Sequence, residues 1–387
     1  MISKVTRPAV VCAGLASAVS LLVCGPPAHA LEAPRAVATA TAETADGAVS
    51  CTSADRATAR TLTTDIAEAL RTRRSTVSLA LDDRGTATTC VLAPQRQYDA
   101  ASVSKPIILG ALLRARGGRL SAEEEELARK MIVTSDNDAA SALWKELSTT
   151  GSDGVTRPTG VEQFLKAAGL NGIAPGPGGA FGLTRVDAQD LVRLLRVFRG
   201  EGGVLTSAEG SYALGLMHEV RNDQRWGTPA SAPRDAEVHV KNGWLQRSDK
   251  AEEPADRGDW RINSMAAFTG AGHDYDLVVL TQNNRAPAGQ PAREGYRYGI
   301  ATVEGVAKAV HSALNAGPSA GPPRPGQPDA PTAGTAPPRA AAAAAEPRRA
   351  ADGPAQWALD GGLAGAGLAA VLVGRRVLLP TPVKDDS

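Results

Sequence analysis

Residues 98–109 read YDAASVSKPIIL, and in this stretch Ser102 stands three positions before Lys105. In a helix, residues three positions apart lie on the same face, about one turn from each other. A hydroxyl group held against an amine in this way can become an activated nucleophile. The same pattern also fits an ordinary polar start of a helix, so the rest of the sequence has to distinguish the two interpretations.

Two further short motifs follow in the same chain. Thr134–Asn137 reads TSDN, and Lys241–Gly243 reads KNG within an apolar stretch that is typical of a strand. Taken alone, Ser-Asp-Asn is a common composition of loops and helix caps, and KNG indicates a turn. Lys105 is the only lysine in the sequence with a serine three residues earlier. The information therefore lies in the order of the three motifs.

In this order the three motifs resemble the set found in class A β-lactamases and penicillin-binding proteins. The resemblance covers about residues 51–315. It implies a serine hydrolase that forms an acyl-enzyme and acts on an amide or ester, such as a β-lactam or a cell-wall peptide. It also implies no cofactor and a small-molecule or cell-wall peptide substrate.

The resemblance gives each motif residue a role. Ser102 would be the nucleophile, and burial together with the charge of Lys241 would lower the pKa of Lys105 so that it can act as a base. Ser135 would bridge the two lysines. The implied site comprises the catalytic residues Ser102, Lys105, Ser135 and Lys241, the substrate-binding residues Asn137, Asn242 and Gly243, and an oxyanion hole made by the backbone N–H groups of Ser102 and Trp244.

The sequence departs from the family pattern at two places. The loop that carries a water-activating glutamate in the β-lactamases corresponds to Gly169–Thr184, which contains no carboxylate. We therefore expect slow hydrolysis of the acyl-enzyme; the nearest carboxylates in sequence are Glu162, Asp187 and Asp190. Asn242 stands where the family mostly has Thr or Ser, so substrate choice is expected to differ. The bulky Trp244 fits either core packing or a substrate-lining position.

The order of predicted elements supports an α/β fold of the α+β type. Apolar periodicity predicts one helix near the start of the domain, a hairpin within residues 76–93 and a run of helices between residues 102 and 200. Strands return within residues 237–282, and a closing helix covers residues 299–314. An antiparallel sheet built from both ends of the domain, with an inserted all-helical lobe, fits this order. A doubly wound parallel sheet does not, because strands and helices do not alternate.

Residues 1–30 have the features of a secretory signal peptide. Lys4 and Arg7 precede an apolar run, and Ala28–Ala30 provides small residues for cleavage. A lipidated Cys24 is the alternative, although the preceding valine is bulky for that modification. We expect export, with the catalytic domain on the extracellular face. The full predicted organisation is a signal peptide (1–30), a low-complexity segment (31–50), the hydrolase domain (51–315), a Pro/Ala/Gly-rich linker (316–355), a transmembrane anchor (356–379) and a short tail (380–387).

The proposed anchor at 356–379 contains an apolar stretch followed by Arg375 and Arg376. Its length approaches the ~20 residues that a membrane-spanning helix needs, and the arginines favour a cytoplasmic end. The alternative is a Gly/Ala-rich tail that never inserts.

The cysteines, the net charge and the histidines indicate which bonds, partners and metal sites to expect. Cys51 and Cys90 form an even pair in an exported domain, which predicts a disulfide, with two free thiols as the alternative. The net charge of +1 and the lack of a basic stripe with aromatics argue against nucleic acid as a partner. We expect a monomer. No metal is implied, because metal-ligand spacing is absent from the histidines of the mature chain, His218, His239, His273 and His311.

One alternative function belongs to a different class of protein. A non-catalytic domain could have kept the pocket in order to bind cell-wall material. Loss of Ser102 or Lys105 would have favoured that interpretation, and both residues are present.

Overall fold

The computed structural model describes residues 37–251 and 256–315 of the 387-residue chain. In these ranges the strands are β1 (Ala38–Thr44), β2 (Gly47–Ser53), β3 (Thr76–Asp83), β4 (Thr88–Leu92), β5 (Tyr98–Asp99), β6 (Thr149–Thr150), β7 (Thr156–Arg157), β8 (Arg185–Val186), β9 (Glu237–Gln246), β10 (Trp260–Gly270) and β11 (His273–Asn284). The α-helices are α1 (Arg56–Leu70), α2 (Lys105–Arg116), α3 (Ala122–Val133), α4 (Asn137–Glu146), α5 (Thr159–Ala167), α6 (Ala188–Phe198), α7 (Ser207–His218) and α8 (Arg293–Asn315).

Seven strands form one antiparallel sheet in the order β1-β2-β4-β3-β11-β10-β9. The strands from the two ends of the domain meet where β3 pairs with β11, with Leu81 opposite Leu277. The helices α2–α7 lie between these two groups of strands in the sequence. The predicted fold, a sheet built from both ends with an inserted helical lobe, is confirmed.

Helices cover both faces of the central strands. β10 is buried at nine consecutive positions and β3 at seven, although neighbouring strand residues point to opposite faces. α1 and α8 pack against each other and against the sheet, while α6 packs on β3 and β11. β9 forms one edge of the sheet and contacts both α7 and the short 3₁₀ turn Ala101–Ser104. This edge is where the sheet meets the helical lobe.

α2 is the central helix of the lobe and is buried on all sides from Lys105 to Leu113. A helix that is apolar around most of its circumference belongs in a core. Pro106 lies in its first turn, where the missing N–H costs nothing, and Gly117 ends it with a positive φ of 57°. Lys105, the one charged residue in the buried part of α2, is therefore carried into the core with the helix.

The first hairpin, β1–β2, corrects a predicted boundary. Residues 31–50 were expected to form a low-complexity segment, but β1 and most of β2 lie within that range. In β1, residues of intermediate burial alternate with exposed ones, the two-residue period of a strand with one covered face. The repeated Ala-Thr composition carries this period weakly, since neither residue is strongly apolar or polar. The sheet domain thus begins near residue 37, and not at residue 51.

α7 has no counterpart among the helices expected from periodicity. Its N-terminus is closed by a reciprocal capping box, in which Thr206 accepts from the Glu209 backbone and the Glu209 side chain accepts from the Thr206 backbone. The apolar residues of α7 are interrupted by Gly210 and Gly215, which weakens the helical pattern. The capping motif was the signal that could have revealed this helix.

Cys51 and Cys90 are joined by a disulfide, as predicted. The two residues lie directly opposite each other on β2 and β4, and both are fully buried. The bond therefore joins the outer hairpin to the rest of the sheet.

Among the described residues, no helix combines the length and the apolar composition that crossing a bilayer requires. The predicted signal peptide (1–30), linker (316–355), transmembrane anchor (356–379) and tail (380–387) lie outside the described residues.

Replacing both cysteines, in a Cys51→Ser/Cys90→Ser variant, should lower the free energy of unfolding by about 4 kcal/mol. The reason is that the bond closes a loop spanning 39 positions in the unfolded chain. Denaturant titrations of the soluble domain under oxidising conditions measure the difference. Equal unfolding midpoints for the two proteins, or a non-reduced mass that shows two free thiols, would contradict the prediction.

Candidate active site

Ser102 lies in the 3₁₀ turn Ala101–Ser104, directly before α2. It is buried, with 6% of its surface exposed. The preceding residue, Ala101, has a positive φ of 49°, which L-residues rarely adopt. Such a conformation persists only where its surroundings hold it, and it is common at functional sites.

Asn263 holds this turn against the sheet. From β10, its side-chain Nδ2 donates hydrogen bonds to the carbonyl oxygens of Asp99 (2.9 Å) and Ala100 (3.1 Å). Asn263 is fully buried and stands opposite Gly243 of β9. It is a positioning residue that the sequence did not reveal, because only the strand register brings it beside the turn.

The amine of Lys105 contacts four oxygen atoms. Its Nζ lies 3.1 Å from Ser102 Oγ, 2.6 Å from the Ser135 carbonyl oxygen, 3.1 Å from Ser135 Oγ and 2.8 Å from Asn137 Oδ1. Two of the predicted motifs therefore meet at one nitrogen. The serine and lysine of the first motif do share a face, as their spacing predicts.

The chemistry of these four oxygens defines the direction of the hydrogen bonds. The Ser135 carbonyl and the Asn137 amide oxygen can only accept, whereas the two hydroxyls can donate. A neutral amine has two N–H donors and one lone pair, so the two obligate acceptors use both of its hydrogens. The lone pair then accepts a hydrogen bond from a hydroxyl, and Ser102 Oγ is in range to donate it.

Lys241 approaches the same hydroxyl from the opposite side. Its Nζ lies 3.0 Å from Ser135 Oγ and 3.0 Å from the carbonyl oxygen of Asn242. Ser135 itself has a positive φ of 58°, the second strained non-glycine residue of the site. The third motif thus joins the first two, with the Ser135 hydroxyl between the two amines.

Burial changes the proton affinity of both lysines. Desolvation lowers the pKa of Lys241 to about 7. Desolvation also lowers the pKa of Lys105 well below its usual value, the positive charge of Lys241 lowers it further, and the charge of Asp136 partly opposes these effects. The two amines therefore lose their protons far more easily than a lysine in water does.

Gly243 brings the edge of the sheet against the turn that contains Ser102. A Cβ atom at this position would stand 2.8 Å from the backbone nitrogen of Ser102 and 2.8 Å from the carbonyl oxygen of Ala100. Only glycine permits this approach of two backbones. Trp244 follows in β9, half-buried, with its ring 5.9 Å from that of Trp226 and 6.2 Å from that of Tyr296. Its ring is therefore part of an aromatic cluster at the end of the site.

Asn242 does not take the place that the sequence predicted. It has no exposed surface, and its Nδ2 donates to the carbonyl oxygens of Gln224 and Trp226, each at 2.8 Å. Because side chains alternate along a strand, Asn242 points away from the face shared by Lys241 and Gly243. The prediction of a substrate contact for its amide is corrected, since its two hydrogens already bond to the protein.

The loop without a carboxylate lies beside Ser102. Its 3₁₀ turn Phe181–Leu183 packs on the turn that contains Ser102, and the Phe181 ring centre lies 5.6 Å from Lys105 Nζ. The flanking carboxylates serve the backbone of the loop and of α6: Asp190 accepts from the Gly172 N–H at 2.6 Å, and Asp187 from the Asp190 N–H at 2.8 Å. The third, Glu162, is exposed in the first turn of α5. From this loop an aromatic ring, and not a carboxylate, thus faces the Lys105 amine.

In the described part of the chain, no group of three His, Cys, Asp or Glu side chains is arranged to hold a metal ion. The buried His311 instead bonds to the Tyr275 hydroxyl at 2.9 Å and to the Thr228 carbonyl at 2.8 Å.

Comparison with known families adds to this geometry. The beta-lactamase enzyme family matches residues 116–314, just over half of the chain. The chain belongs to the beta-lactamase enzyme family. The matched range contains Ser135, Asn137 and Lys241 but begins after Ser102 and Lys105, whose place in the site rests on their own contacts.

Among the solved structures that share the fold is a representative class A beta-lactamase from Bacteroides cellulosilyticus DSM 14838, with a TM-score of 0.53 and 16% identity, covering 67% of this chain and 99% of that chain. Another is a beta-lactamase from Chitinophaga pinensis DSM 2588, with a TM-score of 0.52 and 17% identity, covering 66% of this chain and 99% of that chain. No curated protein sequence matches the chain. The family and the fold together identify the chain as a β-lactamase-like serine hydrolase.

The depressed pKa of Lys241 predicts a rise in stability with pH. Between pH 7 and the usual lysine pKa the unfolded state binds more protons at this site, so the free energy of unfolding increases as pH rises. From pH 7 to pH 9 this site should contribute about 2 kcal/mol. Denaturant titrations at both pH values should show that Lys241→Met loses this part of the increase.

The exposed Lys145 provides the matched control, because Lys145→Met removes a lysine from the surface of α4. That variant should keep the increase of the unchanged protein. A Lys241→Met variant with the same pH dependence as the Lys145→Met variant would contradict the prediction.

Proposed function

We propose that this chain is an exported serine acyl-enzyme hydrolase that attacks an amide or ester, such as a β-lactam or a cell-wall peptide, through Ser102. The observation that carries the proposal is the 3.1 Å contact between Ser102 Oγ and the Lys105 amine, which also contacts two obligate acceptors. In the neutral form of the amine, this arrangement leaves the nitrogen lone pair for the serine proton. It gives Ser102 the adjacent base that a hydroxyl nucleophile needs.

Acylation begins when Lys105 takes the proton of Ser102 while Ser102 Oγ bonds to the carbonyl carbon of the substrate. Negative charge then develops on the substrate oxygen, and the N–H groups of Ser102 and Trp244 would stabilise it. The close approach of Gly243 to Ser102 N supports this role, because it brings the strand that carries Trp244 beside the turn. The bond from the carbonyl carbon to the leaving nitrogen or oxygen then breaks as that atom receives the proton through the Ser135 hydroxyl, which contacts both lysines.

Asn137 and Gly243 complete the proposed substrate-binding surface. The Asn137 oxygen bonds to Lys105, so in this role its amide nitrogen would meet the substrate. Gly243 would present backbone groups at the sheet edge. Asn242 is no longer part of the proposal, because its side chain is buried and bonded elsewhere.

Hydrolysis of the acyl-enzyme is proposed to be slow. The loop beside the nucleophile contains no carboxylate that could activate water, and its flanking acids bond to backbone groups. Release of the acyl group depends on such a base, whereas for its attack Ser102 has Lys105 beside it. The acyl-enzyme should therefore accumulate.

Export is supported by the buried Cys51–Cys90 disulfide, because such bonds persist in oxidising compartments. The signal peptide (1–30) and the membrane anchor (356–379) belong to the same proposal and rest on the sequence alone. We propose that the domain acts as a monomer on the extracellular face.

Incubation of the soluble domain with benzylpenicillin should give a lasting adduct, detected by intact mass, that is absent from Ser102→Ala. Lys105→Met should form the adduct about 10²–10⁴ times more slowly, because it removes the general base. An adduct that is unaffected by Ser102→Ala would contradict the assignment of the nucleophile. Absence of any adduct would favour the alternative, a non-catalytic domain that retains the pocket in order to bind cell-wall material.

Gly243→Ala should slow adduct formation at least tenfold. Its new Cβ would meet backbone atoms of Ala100 and Ser102 at 2.8 Å, so the strand or the turn must move. Gly215→Ala is the matched control, because a Cβ there meets nothing within 4 Å. Adduct formation by that variant should match the unchanged protein; equal rates for the two variants would contradict the proposed role of this contact.

A further inference from the structure

A second concave surface of the domain lies outside the proposed active site. It is a cavity of about 470 Å³ between the segment that follows α1, the end of β11 and the first part of α8. None of the residues that line it takes part in the chemistry proposed for Ser102. The lining residues are Arg74, Asn283, Arg285, Ala286, Ala288 and Tyr298.

The sheet register brings two arginines to this cavity. β3 and β11 are paired antiparallel, with Thr76 opposite Gln282. Arg74 precedes β3 and Arg285 follows β11, so both stand at the same end of the two strands. Among the described residues, no acidic side chain lines the cavity. An anion that entered it would therefore meet positive charge from two separate elements.

Hydrogen bonds fix the other polar groups of the cavity. The Arg74 backbone N–H donates to the Tyr298 hydroxyl oxygen at 2.7 Å, which leaves the hydroxyl proton for another acceptor. Asn283 is held from two sides, because its N–H donates to Asp259 Oδ2 at 2.9 Å and its Nδ2 donates to Thr76 Oγ1 at 2.7 Å. The cavity is thus already formed in the free protein, so binding there requires little rearrangement.

Positive charge continues beyond the cavity, across the ring of Tyr298. The guanidinium carbon of Arg73 lies 5.2 Å from the centre of that ring, and its Nη2 donates to the Ala301 carbonyl oxygen at 3.3 Å. Within the described part of the chain, neither Arg73 nor Arg74 forms an ion pair. A ligand with several negative charges could therefore occupy the cavity and contact Arg73 at the same time.

We propose that this cavity binds a phosphate group of a linear polymer that carries a phosphate in each repeat. Guanidinium groups donate paired hydrogen bonds to phosphate. The donors come from three separate elements, through Arg74, Arg285 and Tyr298, so they suit the tetrahedral oxygens of a phosphate better than the planar oxygens of a carboxylate. A polymer, unlike a single phosphate, would also reach Arg73. Such binding would hold the domain on a polyanion, and it does not depend on the chemistry at Ser102.

The test measures the binding of fluorescein-labelled sodium polyphosphate to the full chain by fluorescence anisotropy at low salt. Arg74→Ala removes one guanidinium group from the cavity. Arg60→Ala is the matched control, because Arg60 is an exposed arginine within α1 and its removal changes the net charge equally. Arg74→Lys keeps the charge but loses the planar fork of donors. Thermal unfolding of each variant confirms that folded proteins are compared.

Arg74→Ala should bind polyphosphate about tenfold more weakly than the unchanged protein, because it loses charge-assisted hydrogen bonds to phosphate. Arg60→Ala should bind like the unchanged protein, and Arg74→Lys should fall between the two. Unlabelled sodium polyglutamate and inorganic phosphate should displace the probe less well than unlabelled polyphosphate at the same total charge. Binding should weaken as the salt concentration rises.

Absence of polyphosphate binding, or equal losses for Arg74→Ala and Arg60→Ala, would overturn the inference. Equal displacement by polyglutamate would overturn the choice of phosphate, and equal displacement by inorganic phosphate would overturn the choice of a polymer. Binding to phosphatidylglycerol vesicles without binding to polyphosphate would assign the surface to a membrane instead. Arg74→Ala should form the penicillin adduct like the unchanged protein, so failure of this inference and failure of the proposed function are distinguishable.

Discussion

The site depends on the burial of two amines around one hydroxyl. Lys105 and Lys241 are both fully buried, and their hydrogen bonds go to the neutral oxygens of Ser102, Ser135, Asn137 and Asn242. Burying a lysine in this way is unfavourable unless it becomes neutral, which is why the pKa of each falls. In the proposed function, a neutral amine is what Ser102 requires as its base.

Elsewhere in the domain, a buried charged side chain is paired with side chains of opposite charge. Asp276 has no exposed surface, and it forms ion pairs of 2.8 Å with Arg84 and 2.9 Å with Arg199. Removing one partner of such an ion pair would leave an uncompensated buried charge. The two ion pairs together link β11 to the ends of β3 and α6. A carboxylate equally close to Lys105 would favour the protonated amine and oppose its proposed use as a base. The two kinds of burial thus serve structure and chemistry respectively.

The sequence revealed the parts of the site that depend on local spacing and order, and missed those that depend on register or tertiary contact. Ser102 and Lys105 share a helical face, so their meeting follows from spacing three apart. Asn242 was misplaced because strand alternation turns it away, while the carbonyls that take its amide come from a distant loop. Phe181 left no signal beyond being the one aromatic residue in a glycine-rich stretch, since its neighbour Lys105 lies far away in sequence.

The placement of the site between the sheet edge and the helical lobe explains why its geometry is so dependent on backbone contacts. Lys241 comes from β9, whereas Ser102, Lys105 and Ser135 come from the lobe, so a relative shift would separate Lys241 from Ser135 Oγ, now 3.0 Å away. Two contacts oppose such a shift: Asn263 binds the turn from β10, and Gly243 packs against it from β9. Both act on residues 99–102, where Ala101 holds its strained conformation. Strain beside Ser102 and packing at the sheet edge are therefore two aspects of one constraint on the position of the proposed nucleophile.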